Sequence, residues 1–75
     1  MKRLRVNTKD TTYDELVRLA RKGGFVVVQG GKHDKVKTTQ GQFVTTIPRH
    51  NTIKRETAKE IVESMIVFGA KIDFS

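Results

Sequence analysis

The stretch from Gly23 to Pro48 constrains the fold most. Phe25-Val26-Val27-Val28-Gln29 lies between Gly23-Gly24 and Gly30-Gly31, and a β-branched run bounded by turn residues reads as a strand. Gly30-Gly31 suits a two-residue hairpin turn. Residues 32–38 then form a second strand, Thr39-Gln40-Gly41 a second turn, and Gln42 to Ile47 a third strand. Pro48 closes it, because proline cannot donate to a ladder. The result is an antiparallel meander, which is stable only if one face is covered.

The flanks supply the cover. Thr12-Tyr13-Asp14-Glu15 has the spacing of a capping box. Tyr13, Leu16, Val17 and Ala20 then recur on one helical face, and Gly23-Gly24 ends the element, so a helix is expected over 12–22. A second helix is expected over 55–68, with Ala58, Ile61, Val62, Met65 and Phe68 as its apolar stripe and Gly69 as its terminator. The expected class is α+β: α-β-β-β-α, a three-stranded antiparallel sheet with two helices on one face. Residues 1–10 read as a loosely held basic arm, with Lys2, Arg3, Arg5 and Lys9 against Asp10. Residues 69–75 form a tail whose alternation over Ala70 to Phe74 suits a short strand.

With 75 residues the chain is expected to be one domain. It has no Cys, which excludes a disulfide framework, a thiol nucleophile and a Cys-based zinc site. Two histidines among scattered carboxylates suggest no metal site, and no cofactor is expected. The basic start is followed by no apolar run, so no signal peptide is read, and no stretch approaches the ~20 apolar residues of a membrane span. A soluble cytoplasmic protein is the expectation. The net charge is +7, from 15 Lys+Arg against 8 Asp+Glu. Such an excess on a small domain favours a polyanionic partner. Neither helix has a basic face opposite a large aromatic one, which argues against a membrane surface.

The pattern also gives a register. A two-residue turn at Gly30-Gly31 pairs Val28 with His33, Val26 with Lys35 and Phe25 with Val36. Pairing Val36 with Phe43 across the second turn puts Phe25, Val27, Val36, Phe43 and Ile47 on the core face. The opposite face then carries Val26, Val28, His33, Lys35, Lys37, Val44 and Thr46. Thr46 would stand opposite His33, with Arg49 and His50 just beyond the strand end.

That constellation suits one chemistry. RNA is cleaved without metal when a base takes the 2′-hydroxyl proton and a cation stabilises the charged phosphorane. Imidazole suits the first task, because its ordinary pKa lies near neutrality. Lys35, Lys37 and Arg49 suit the second. DNA lacks the 2′-hydroxyl and is not an expected substrate. His33 is the candidate catalyst, and Lys32, Lys35, Lys37, Arg49 and His50 are the candidate RNA contacts. Each has a plainer reading: a solvated strand face for the lysines, a helix cap or loop residue for His50. Gly30-Gly31 precedes a strand rather than a helix, so it is not a phosphate loop. Val26, Val28 and Val44 beside His33 are too apolar for a fully solvated sheet face and are expected to be covered by a partner.

The ordered pieces resemble a known family. Gly24-Phe25 follows the first helix, Gly30-x-x-His33 the first strand, then Val44-Thr-Thr-Ile-Pro48-Arg-His50, and Ile53-Lys54 leads into a helix with Thr57 and Ile61. Over residues 13–68 this is similar to the HicA toxins of toxin–antitoxin pairs, with Gly31-Lys32-His33-Asp34 where the family often has Gly-Ser-His-His. The resemblance implies a fold like that of double-stranded-RNA-binding domains and an endoribonuclease (mRNA interferase) acting on mRNA. It implies that a histidine at the position of His33 is needed, and that a HicB-type antitoxin covers the active face; together with the apolar side chains noted above, this makes Val26, Val28, His33 and Val44 the expected antitoxin interface. Two other readings stay open: a non-catalytic RNA-binding module of the same fold, and a basic protein-interaction domain.

Overall fold

The computed structural model describes residues 4–50 and 52–74. The start of the basic arm, with Lys2 and Arg3, lies outside them, as do Asn51 and the last tail residue, Ser75.

Helix α1 spans Tyr13–Lys22, and its N-cap is the expected Thr12, whose hydroxyl accepts from the Glu15 amide at 3.2 Å. Helix α2 spans Arg55–Val67. Both helices end in the same way. Beyond α1, Gly24 takes φ +89°, the Phe25 amide donates to the Ala20 carbonyl and the Gly24 amide to that of Arg21. Beyond α2, Gly69 takes φ +102°, with Ala70 donating to Met65 and Gly69 to Ile66. This left-handed cap satisfies the last carbonyls and needs glycine at its turning point. Phe68, expected on the α2 stripe, is the cap residue of that motif and is 42 % exposed.

Between the helices runs the expected meander, β2 (Val26–Val28), β3 (His33–Lys37) and β4 (Phe43–Pro48), in the order β2-β3-β4 and antiparallel throughout. Its inward residues Val36, Val44 and Ile47 join Phe25, Leu16, Leu19 and Ala20 of the α1 region and Ala58, Ile61, Val62 and Met65 of α2 in one core. The class is therefore α+β with two helices and a three-stranded sheet.

The chain adds a second, two-stranded sheet. β1 (Leu4–Val6) pairs in parallel with β5 (Ile72–Phe74), Leu4 opposite Ile72 and Val6 opposite Phe74. Val6 and Ile72 are buried, so this part of the arm is held rather than loose. The tail strand is the one its alternation suggested.

The register differs from the expected one in two places. Val26 pairs with Lys37, Val27 with Val36 and Val28 with Lys35. Residues 29–32 thus form a longer connection than a two-residue turn, closed by the His33 amide donating to the Gly30 carbonyl at 3.0 Å. The slip is two residues, and because side chains alternate with period two it leaves every side chain on its expected face. The second difference does change faces. A β-bulge lies between the pairs Val36–Thr45 and Lys37–Phe43, so Val44 is an extra residue. The extra residue inverts the alternation before it. Phe43, expected in the core, is 55 % exposed, and Val44, expected on the open partner-binding face, is 7 % exposed.

Candidate active site

Alternation along β3 sorts its residues. Asp34 and Val36 are fully buried, whereas His33 and Lys35 are exposed. Cross-strand neighbours share a face, so the open side of the sheet carries three rows. His33 stands opposite Pro48. Lys35 lies between Val28 and Thr46, and Lys37 between Val26 and Phe43. Thr46 was expected opposite His33; the longer second connection and its bulge move the pairing along by one row. Val44, expected among the interface residues, lies in the core, while Val26 and Val28 stand on the open face at 45 % and 42 % exposed.

The charge on this face has one sign. Asp34 is the sole acidic residue between Phe25 and Pro48, and it points inward. Lys32, Lys35 and Lys37 make no ion pair with the described residues. Their charge is therefore available to a ligand.

Arg49 and His50 leave β4 just beside this face. The Arg49 amide donates to the Lys32 carbonyl at 3.2 Å, which extends the β3–β4 pairing and brings the loop alongside the start of β3. The Arg49 side chain turns inward in part: its Nε donates to Asp34 Oδ1 at 2.8 Å. Arg49 is thus a tethered cation, 39 % exposed at its side chain. His50 is exposed and makes no hydrogen bond to the described residues. It does not cap α2, whose N-cap residue is Lys54 without a side-chain bond.

Asp34 is the residue that spacing alone did not single out. Its carboxylate is fully buried and accepts from the Tyr13 hydroxyl at Oδ2 and from Arg49 at Oδ1. A buried charge is tolerated only when paired and hydrogen-bonded. Burial pushes the Asp34 carboxyl up, but the hydrogen bonds from Tyr13 and Arg49, the Arg49 charge and the Gly30 backbone outweigh it and hold the group below its ordinary value. The bond to Asp34, with burial and the carboxylate charge, raises the Tyr13 phenol. Arg49's own bond to Asp34 raises its guanidinium, which stays charged. The knot ties the first residue of α1, the residue after His33 and the loop after β4 to one point. Its signal was present in the sequence: Asp34 lies two residues before the core residue Val36, so the register already turned it inward.

No three His, Cys, Asp or Glu side chains among the described residues are grouped to hold a metal ion. A surface cavity of about 560 Å³ lies elsewhere, between β1 and α1, lined by Arg5, Arg18 and Leu19 among others. No helix among the described residues is long and apolar enough to cross a membrane.

Comparison with known proteins decides the family. A family model described as the HicA toxin of bacterial toxin–antitoxin systems matches residues 13–66. The chain belongs to the HicA toxin family. The matched span covers both helices almost entirely and the whole meander, including Tyr13, His33, Asp34 and Arg49. Neither the curated proteins nor the solved structures gave a significant match. In this HicA-family chain the β1–β5 pair lies outside the matched span.

Proposed function

We propose that this HicA-family chain is the toxin of a type II pair and acts as a metal-independent endoribonuclease on mRNA, with His33 as general acid/base. The observation that carries the reading is the exposed His33 at the head of an acid-free row of cations. In the proposed step His33 takes the proton of a ribose 2′-hydroxyl, and the oxygen attacks the adjacent phosphorus. The bond to the 5′-oxygen breaks, and that oxygen takes a proton back from the protonated His33, which restores the neutral imidazole. A 2′,3′-cyclic phosphate and a 5′-hydroxyl result. Lys32, Lys35, Lys37 and His50 hold the RNA backbone. Lys35, on the same open face as His33, offers fixed positive charge where the phosphorane develops, and Arg49, held by Asp34, adds its charge at the edge of that face.

The partner proposed for the same face is a HicB-type antitoxin. Val26, Val28 and Phe43 are large apolar side chains in water, and an acidic protein surface that covers them also neutralises the lysines. The site then binds either antitoxin or RNA. A cytoplasmic location follows from mRNA as the substrate.

The test is RNA cleavage in EDTA by the wild type and by His33→Ala. Loss of cleavage in the variant alone, by about 10²- to 10⁴-fold as for removal of a general acid/base, is the expected result. Equal activity of the two proteins, or activity only with added metal, would overturn the assignment. Retardation of RNA with no cleavage by the wild type would instead favour the non-catalytic binding module.

A further inference from the structure

The β-bulge in β4 exposes an aromatic ring that alternation alone would have buried. Phe43 stands 55 % exposed on the open face, opposite Lys37 and in one row with Val26. Leaving a phenyl ring in water costs burial that the fold could have used, since Val44 takes the core place beside it. We propose that Phe43 is a base-stacking platform, and that the open sheet face takes RNA as a single strand. The inference rests on the proposed action on RNA and names the form of RNA that the site accepts.

Three features favour this occupant. The face is apolar and cationic with no acid on it, which matches flat bases strung on a phosphate backbone. An exposed ring on a sheet can stack only on a base that is free of its own neighbours, and a duplex offers none along its length. Lys37, opposite Phe43, lies four residues along β3 from His33, about 13 Å at the rise of a strand. The stacked base therefore lies remote from the scissile bond. Phe43 supplies binding, with little preference among bases, because every base has a stacking face.

The chain contains no Trp, so Phe43→Trp introduces a unique fluorophore. In a His33→Ala background, where RNA is not turned over, oligouridylate and oligoadenylate are expected to quench this tryptophan, and a duplex of the two is not. Phe43→Ala in that background is expected to weaken single-strand affinity about 5- to 150-fold, the range for loss of one stacked base. Phe43→Tyr should keep it. With His33 restored, Phe43→Ala should raise KM and leave kcat nearly unchanged. Absence of quenching, equal affinity of the Ala variant, or equal binding of duplex would overturn the proposal, even if His33 proves essential for cleavage. If Phe43→Ala spares RNA binding but the antitoxin no longer relieves growth arrest, the ring belongs to the protein partner and the proposal also falls. Absence of cleavage by the chain with native His33 would instead overturn the nuclease reading, and the quenching would still decide the stacking one.

Discussion

Arg49 Nε donates to Asp34 Oδ1 across 2.8 Å, from a loop that water reaches to a carboxylate that water does not. Asp34 follows His33 directly, and Arg49 leads away from Pro48, the residue opposite His33. The pair therefore fixes the two chain segments that flank the candidate catalyst. It also ties the site's geometry to the ionisation of one buried group.

That ionisation sets the acid limit of stability. The Asp34 carboxyl is held below its ordinary value in the folded chain. The bound carboxylate thus contributes stability in full above the unfolded value near 3.9, and the contribution is lost as pH falls through the folded value. Thermal melts of the wild type are expected to fall steeply below about pH 4. Asp34→Asn should melt lower at neutral pH and show a shallower fall in acid. Parallel acid limbs in the two proteins would show that Asp34 is not the group responsible.

Tyr13 makes the opposite limb. Its phenol is raised by the bond to Asp34, so its contribution is complete below the unfolded value near 10 and is lost as pH rises through the folded one. It is the only tyrosine, in a chain without tryptophan, so ultraviolet titration reads it alone. The midpoint is expected above that of a free tyrosine. Tyr13→Phe removes one donor from a buried charge and should cost about 1.5–3 kcal/mol in urea unfolding. A midpoint at or below the free value would contradict the bond.

Much of this fold was legible from residue type and spacing. The Thr12 cap, the glycine stops after both helices and the three strand runs are local signals, and each stands within a residue or two of its expected place. The outward placement of His33, Lys35 and Lys37 survived a wrong turn length because the slip was two residues. The bulge was not legible. Phe43 and Val44 are both apolar, so neither alternation pattern exposes fewer hydrophobic residues, and only the packing of Val44 against the core decides between them. Asp34 was legible as inward-facing but not as satisfied, since its donors come from residues 21 and 15 positions away in the chain.

The bulge predicts opposite outcomes for two valines that the sequence put together. Val44→Ser removes a buried side chain and should cost about 1.5–3 kcal/mol. Val26→Ser, on the open face, should stay within about 0.5 kcal/mol of the wild type. Val26→Ser should weaken relief of growth arrest by the antitoxin if that partner covers the face. Equal unfolding midpoints for the two variants would place Val44 back on the surface and remove the bulge.

The lysine rows predict a salt dependence. Each phosphate neutralised on a single strand contributes a slope of about −0.7 in the logarithm of affinity against the logarithm of salt. Lys35 and Lys37 have no ion pair with described residues, so neither must break a bond to meet a phosphate. In the His33→Ala background, Lys35→Gln and Lys37→Gln should each flatten the slope by about 0.7, and the double variant by about twice that. Arg49→Gln should behave differently. Arg49 already serves Asp34, so its loss should lower the melting temperature as well as the affinity, whereas the lysine variants should melt with the wild type. If the lysine variants keep the wild-type slope, the RNA backbone does not run along β3, and the basic charge of Arg5 and Arg18 around the β1–α1 cavity becomes the next surface to test by the same titration.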